Sequence, residues 1–325
     1  MSAYRMIVRE EGGPEALTRE DFDPGQPGEG EVLLRHTAIG LNFLDTYFRS
    51  GLYPWPPGAE KVPGGEAAGV VEAVGAGVDL KEGERVCYTL PVGAYASHRV
   101  VVADKLIRLP EGVSDEVAAA ATLKGLTVHY LLERTFPVGP DHVVLFHAGA
   151  GGVGTLAGQW LNEIGCTSIA TAGGPEKCQM AKDAGYGHVI DYNDRDVAEE
   201  VARITDGAKC HVVYDGVGKD TWTGSLDSLR RLGMMVSFGN ASGPVPTVEV
   251  KDLASRGGLF FTRPSLFNYM ATREELERGG EALFPRIADG RLKVDVRHRW
   301  PLADAAEAHR ALEGRETTGS GVLLP

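Results

Sequence analysis

What the sequence lacks narrows its function first. Its four cysteines, Cys87, Cys166, Cys178 and Cys210, lie far apart, so no C-x-x-C pair exists from which to build a zinc cluster or a thiol–disulfide centre. All four read as small buried hydrophobes in a reducing compartment. Basic residues are in deficit: 33 Lys and Arg against 45 Asp and Glu leave a formal net charge of -12. That balance opposes binding to nucleic acid or to an anionic membrane surface. Nowhere do enough uncharged apolar residues run together to span a bilayer, and the opening MSAYRMIVREEGGPEAL has no apolar stretch of signal-peptide length. A cytoplasmic location is the expectation. No G-x-x-x-x-G-K-[ST] occurs, which excludes a P-loop, and the nine histidines include no H-E-x-x-H or comparable cluster, so no metal ligands are assigned.

What is present has two textures. At 325 residues the chain exceeds the usual size of a single core and is expected to form about two domains. Up to about Pro110, short apolar runs (RMIV, EVLLRHTAIGL, AAGVVEAV, ERVCYTL, YASHRVVVA) alternate with Gly/Pro/Asp clusters, which predicts a β-rich region with little helix. At Ser114 the pattern changes. Ser114 followed by Asp115 and Glu116 is an N-cap with acids in the first turn, opening a helix through VAAAATLKGLTVHYLLERT. From Asp141 to about Thr262, near-continuous apolar runs (VVLFHA, SIATA, HVIDY, HVVYD, MMVSFG, GLFFT) alternate with helical segments over 152–164, PEKCQMAKDA, RDVAEEVARI and WTGSLDSLRRL. The fold class is therefore α/β, a doubly wound parallel sheet joined to a β-rich domain. In the tail, Thr272 and Glu275 form a capping box that opens a helix to about Ala288, followed by KVDVRHRW, a helix over LADAAEAHRAL and a last short run, GVLLP.

Within the first βαβ unit, FHAGAGGVGTLAGQW places Gly149, Gly151 and Gly154 as G-x-G-x-x-G between a strand and a helix whose Val153, Leu156, Trp160 and Ile164 share a face. Such glycines let backbone amides approach a pyrophosphate at the positive end of a helix dipole. Close strand-to-helix packing alone would also require glycine. The tip of the second strand distinguishes the dinucleotides, because an acid there bonds the ribose hydroxyls of NAD. Here SIATAGGPEKC offers Ala172, Gly173 and Gly174, with Lys177 just beyond, a small pocket with a cation that suits the 2'-phosphate of NADPH; Glu176 works against it, and Lys177 could equally be a solvated surface charge.

The loop HAGAGGVG, together with LKGLTVHYLL, VVYDGVGKDTW, MVSFGN and TRPSL, and with GLNFLDTYFRSGLYP, PGGEAAGVV and EGRETTGSGVLL toward the two ends, resembles the zinc-free quinone oxidoreductases, the zeta-crystallin-like branch of the medium-chain dehydrogenase/reductase superfamily. The resemblance covers almost the whole chain. It implies a GroES-like catalytic domain from residues 1–124 and 266–325, a Rossmann NADPH-binding domain from 125–265, and a homodimer joined through the Rossmann sheets along GGLFFT. Zinc-dependent members of the superfamily hold their metal through a cysteine and a histidine at the places where this sequence has Asn42 and Gly65; neither is a good zinc ligand.

The chemistry implied is metal-independent transfer of reducing equivalents from nicotinamide C4 to a small-molecule quinone, which needs orientation and tolerance of the developing anion. By the same resemblance Asn42 and Tyr47 lie near the nicotinamide and substrate, Tyr53 lies at the substrate pocket, and Thr127 and Tyr130 face the cofactor. Gly151, Gly152 and Val153 lie under the pyrophosphate, Gly173 and Lys177 at the adenosine phosphate, and Tyr192 beside the adenine. Phe238, Gly239 and Asn240 lie at the switch side of the sheet, with Arg263, Ser265 and Arg315 at further cofactor positions. Tyr47 and Tyr53 could instead simply fill the base of the catalytic domain, and Arg315 could be an exposed charge on the final turn. Whether delivery is one-electron or two-electron stays open. Reduction of an activated double bond in an enone or enoyl thioester uses the same geometry, and a crystallin-like or RNA-binding role without catalysis is a third reading, of which the negative charge disfavours RNA binding.

Overall fold

The computed structural model describes residues 2–245 and 247–325. Its contacts divide the chain into two units, one of residues 1–126 and 270–325 and one of residues 127–269.

The first unit is built on antiparallel strands. A two-stranded sheet pairs β1 (Tyr4–Val8) with β2 (Leu17–Asp21). The larger sheet contains β3 (Glu31–Gly40), β4 (Glu66–Val74), β5 (Arg85–Thr89), β6 (His98–Val102) and β7 (Leu106–Arg108). Between β3 and β4 lies a helix, α1 (Phe43–Arg49), in a region where the strand pattern predicts little helix. The difference is local: Asp45 at the third helical position accepts from the main-chain N–H of Asn42, a cap that the surrounding strands and prolines mask.

After β7 comes α2 (Asp115–His129), and Ser114 Oγ accepts from Val117 N at its start as expected. Ala118 to Ala121 are fully buried, so this turn of the helix is enclosed on every side.

The second unit is doubly wound. Its strands β8 (Val143–Phe146), β9 (Thr167–Ala172), β10 (His188–Asp191), β11 (Cys210–Asp215), β12 (Leu229–Ser237) and β13 (Phe260–Thr262) form one parallel sheet in the order β10-β9-β8-β11-β12-β13. The helices are α3 (Gly152–Ile164), α4 (Pro175–Asp183), α5 (Val197–Ile204), α6 (Trp222–Asp227), α7 (Val250–Ser255) and α8 (Leu266–Tyr269). Its core includes Leu145, Ile169, Ile190, Val201, Val213, Trp222 and Met235. The chain winds outward from β8 to β10, returns to β11 beside β8 and winds the other way, so the strand order reverses between β8 and β11. One helix is shorter than its sequence pattern predicts. Residues Leu229 to Leu232 join β12 instead of extending α6, because Leu229 pairs with Cys210 across a register shift and Leu232 adopts φ 60 before Gly233.

The chain then returns to the first unit through α9 (Arg273–Ala288), which carries the expected Thr272/Glu275 capping box, and through β14 (Val296–Pro301), α10 (Ala305–Glu313) and β15 (Ser320–Leu324). Strand β15 adds to β3, and Leu302, Ala305, Ala308 and Leu323 share one apolar core with Val8, Leu34, Ile39 and Val86. At about 1.5–3 kcal/mol per large buried aliphatic side chain, that sharing ties the tail to the amino-terminal strands. Cys87 and Cys210 are buried, as expected, and burial pushes both thiols up to about 12. Cys166 and Cys178 are only half-buried, a correction to the reading that places all four inside.

Candidate active site

In the second unit every strand of the sheet points the same way, so the loops after β8, β9, β10, β12 and β13 emerge on one edge. Gly151 caps α3 without a side chain, and no acid stands in the first turn formed by Gly152, Val153 and Gly154. The glycines of this loop do different work. A Cβ on Gly154 would lie 2.2 Å from the Ala148 carbonyl oxygen, and one on Gly149 would lie 2.6 Å from Ala170 Cβ. These two serve close packing. A Cβ on Gly151 would meet only the Ala148 oxygen, at 3.2 Å, and the residue is exposed, so there the backbone has one tight neighbour and faces solvent on its other sides. An uncapped helix start with exposed backbone amides suits a pyrophosphate.

At the tip of β9, a Cβ on Gly173 would lie 2.5 Å from Tyr192 Oη, so Gly173 and Tyr192 lie side by side. Lys177 lies in the first turn of α4. Asp191, which the sequence reading passed over, holds this corner together. Both its carboxylate oxygens accept from Gly174 N at 3.1 Å, and Asn193 N adds a third bond at 3.0 Å. Those main-chain donors hold its carboxyl below the usual carboxylate range. Its position at the end of the HVID strand was the available signal.

At the other side of the switch point, Phe238 N donates to Asp215 O at 2.8 Å, and a Cβ on Gly239 would lie 2.3 Å from Gly216 O. Asn240 O accepts from Gly243 N, closing the turn after β12. Arg263 Nη1 donates to Ser237 O at 2.8 Å, and Ser265 O accepts from Asn268 N at the start of α8. Thr127 is buried in α2, and the Tyr130 ring stacks on Tyr269 with centroids 4.6 Å apart. Asp215 organises the loop that follows β11. It accepts from Val217 N, Gly218 N, Thr221 Oγ1 and Ser225 Oγ, and Ser225 Oγ lies 2.9 Å from Nε2 of buried His147.

In the first unit, Asn42, Tyr47 and Tyr53 gather around α1. The Tyr47 and Tyr53 rings lie 5.2 Å apart, and Tyr53 N donates to Tyr47 O at 3.0 Å. Phe48 meets Tyr53 edge-on at 5.9 Å and Trp55 at 5.4 Å, so the tyrosines belong to an aromatic cluster. Asn42 caps α1 and is buried. Arg315 is exposed at φ 59 in the turn after α10.

A metal does not fit at the place where zinc-dependent relatives carry their ligands. Gly65 offers no donor atom, and a Cβ there would lie 2.8 Å from Leu123 Cδ1 and 3.3 Å from Leu44 Cδ2, so a larger residue would have to displace these methyl groups. The Asn42 amide is instead engaged, donating to Glu66 Oε1 at 2.8 Å. Among the described residues no group of three or more His, Cys, Asp or Glu side chains could hold a metal ion. Nor, among those residues, is any helix long and apolar enough to cross a membrane.

Comparison with known proteins agrees with this architecture. The alcohol dehydrogenase GroES-like domain family matches residues 28–111, and the zinc-binding dehydrogenase family matches residues 152–278. A quinone oxidoreductase of Salmonella typhimurium is 51% identical over 99% of this chain and 100% of its own. A 2-haloacrylate reductase of a Burkholderia species is 46% identical, with 98% of each chain covered. The Escherichia coli quinone oxidoreductase, solved in complex with NADPH, shares 49% identity at a TM-score of 0.96, covering 99% of this chain and 100% of that one. Likeness of this extent, over both the GroES-like and the Rossmann parts, makes the chain a member of the quinone oxidoreductase family within the medium-chain dehydrogenase/reductases.

Proposed function

We propose that this protein reduces quinones with NADPH and needs no metal ion to do so. The observation that carries the reading is the open edge of the second unit's sheet. The uncapped start of α3 stands at the switch point, and the tip of β9 offers Ala172, Gly173 and Gly174 where an NAD-specific pocket would hold an acid. In this reading residues 125–265 bind NADPH, and residues 1–124 and 266–325 form the catalytic domain.

The main-chain amides of Gly151, Gly152 and Val153 bind the pyrophosphate, and the helix dipole adds to the attraction. Lys177 holds the 2'-phosphate, while Asp191 keeps the Gly173–Gly174 turn in shape. Tyr192 borders the adenine. Phe238, Gly239, Asn240, Arg263 and Ser265 shape the switch-side edge, and Thr127 and Tyr130 face the cofactor.

NADPH bound here would supply reducing equivalents from nicotinamide C4, and two of them, as one hydride joined by one proton, would turn a quinone into a hydroquinone. The chain's own residues contribute orientation. Asn42 holds the reacting groups, and the rigid pair of Tyr47 and Tyr53 lines the acceptor pocket and excludes water.

The acceptor could also be an activated carbon–carbon double bond, a reading supported by the similarity to the 2-haloacrylate reductase. The deciding experiment follows NADPH oxidation by chelator-treated protein with 9,10-phenanthrenequinone, benzoquinone, 2-chloroacrylate or an enoyl-CoA, each repeated with NADH. Turnover with quinones and NADPH, unchanged by chelator, supports the proposal. Turnover only with an alkene acceptor moves the protein to the second reading, and preference for NADH overturns the role of Lys177.

We infer further that the protein is a homodimer that extends its Rossmann sheet at β13. This edge strand exposes Phe260 and Phe261, next to exposed Leu232, an apolar edge that calls for a cover. Phe260→Asp is expected to shift the sedimentation coefficient from dimer to monomer; a wild-type monomer overturns the inference.

A further inference from the structure

The first unit buries more charge than its fold requires, and that charge converges on one residue. Asn42 is held twice: its main-chain N–H donates to Asp45 Oδ2 at 2.8 Å, and its side-chain Nδ2 donates to Glu66 Oε1 at 2.8 Å. Glu66 is fully buried. Its Oε1 also accepts from Lys124 Nζ at 2.7 Å, and its Oε2 accepts from Leu123 N at 2.6 Å. Three donors thus meet one side chain. Only a carboxylate satisfies all of them, because the NH2 end of a glutamine would face at least one N–H. With Glu66 acceptor-only, Asn42 must turn its NH2 toward Glu66, and the orientation of its amide is settled.

The second carboxylate is oriented by a longer chain. Arg49 is donor-only, so the contact between its Nη1 and His309 Nδ1, at 3.3 Å, makes that nitrogen an acceptor. Neutral His309 then carries its proton on Nε2 and donates to Tyr95 Oη at 2.9 Å, which leaves the Tyr95 hydroxyl to donate to Asp45 Oδ2 at 3.1 Å. Arg49 itself is fixed by two bonds to Glu313, at 2.9 and 2.6 Å. The other oxygen, Asp45 Oδ1, is buried without a hydrogen-bond partner and would lie 3.6 Å from a Cβ on Gly65.

We propose that Glu66 and Asp45 are positioning residues that clamp Asn42, one by its side chain and one by its main chain, and so hold it for the nicotinamide and the acceptor. The proposal rests on the reading of Asn42 as a residue that faces the reactants. The clamp responds to pH at Asp45, whose carboxyl is pushed up to about 7 by burial against the donors that favour its ionised form. The groups acting on it are the main-chain N–H of Asn42, Glu66 from β4, Lys124 from α2 and Tyr95 from the loop before β6, and Tyr95 is in turn faced by Arg49 from α1 and His309 from α10.

The test is a double-mutant cycle on kcat/KM with NADPH and a quinone, alongside NADPH affinity by fluorescence and thermal melts. Losing a charge-assisted bond that fixes Asn42 is expected to lower kcat/KM about tenfold or more in Glu66→Gln. Combined with Asn42→Ala, it should add nothing to the loss from Asn42→Ala alone. Losses that multiply, or a Glu66→Gln enzyme equal to wild type, overturn the clamp. If Glu66→Gln does not fold, the cycle uses Glu66→Gln/Lys124→Met, which leaves no lone buried charge. An arm without turnover is NMR of the wild-type Asn42 main-chain amide. It should move as pH crosses about 7 and stay still in Asp45→Asn; a wild-type signal that does not move overturns the clamp whatever the variants do. Absence of quinone turnover by the wild type, with the amide titrating, rejects the functional reading and keeps the clamp.

Discussion

The two units build their main buried carboxylate networks differently. In the second unit, Asp215 is satisfied by Val217, Gly218, Thr221 and Ser225, all within ten residues of it. In the first, Arg49 reaches Glu313 across 264 positions, Tyr95 reaches His309 across 214, and Lys124 reaches Glu66 across 58. The Asp215 network is therefore carried mostly by one loop, with buried His147 as its distant partner through Ser225, whereas the network of the β-rich unit forms only when its strands and tail come together. A local network forms wherever its loop forms, whereas a dispersed one depends on the whole unit and transmits damage through it.

The sharpest test of that contrast is Lys124→Met. It leaves Glu66 charged and buried without its cation, and breaking a buried pair in this way costs about 3–5 kcal/mol. Urea unfolding should show the loss. A variant as stable as the wild type would mean that water or a neighbour compensates the charge, and the contrast would fail.

The next effect is pH-dependent. Asp45 has a folded-state value raised to about 7 from its ordinary 3.8, so its stabilising contribution is complete below about pH 4 and is lost as pH rises through 7. His36 and His309 are lowered by burial from 6.5 to about 3. Their contribution is present above pH 6.5 and is lost as pH falls toward 3. Between these limits the groups oppose one another. Asp45→Asn removes the carboxyl's share, so its stability relative to wild type should improve by about 2 kcal/mol between pH 5 and pH 8. Melting curves at the two pH values measure this; an equal difference at both would place the Asp45 titration elsewhere.

In the second unit, Gly154→Ala forces a methyl to within 2.2 Å of the Ala148 oxygen, an overpacking cost of about 1–3 kcal/mol that should also weaken NADPH binding as α3 shifts. Gly151→Ala, with its oxygen neighbour at 3.2 Å, should leave stability nearly unchanged. Equal losses in the two variants would overturn the division of labour between packing and ligand-facing glycines.

The smallest effect is at the other lysine. Lys177→Ala should leave the melting temperature within error of wild type and raise the NADPH Kd about tenfold without altering NADH affinity. The two lysines then separate the units: one holds the fold, the other selects a ligand. Weakened binding of both cofactors alike would remove Lys177 from the 2'-phosphate.

Legibility in the sequence followed the same division. Helix α3 runs from Gly152 to Ile164, the limits read from its pattern, and the capping box at Thr272 forms as read. Both depend on residues within one or two turns of one another. The short α6 and the unexpected α1 are the failures. At Leu229 a parallel partner, Cys210, overrode a helical pattern, and at Asn42 a cap lay inside a region dominated by strand signals. Asp191 was passed over because its partner, Gly174, lies 17 positions away on the neighbouring strand's loop. Glu66, Lys124 and Tyr95 were invisible as a group, since no spacing rule connects residues brought together by β4, α2 and a loop.

By itself, then, the sequence determined the alternation of strand and helix, the doubly wound class, the glycine turn at the switch point and the family, because periodicity, capping and turn chemistry act over a few residues. Only the tertiary structure decided which carboxylates hold Asn42, which leucines pack over Gly65, and which tautomer His309 carries. Those outcomes depend on burial and on donor–acceptor matching between distant segments, and neither is defined until the segments meet.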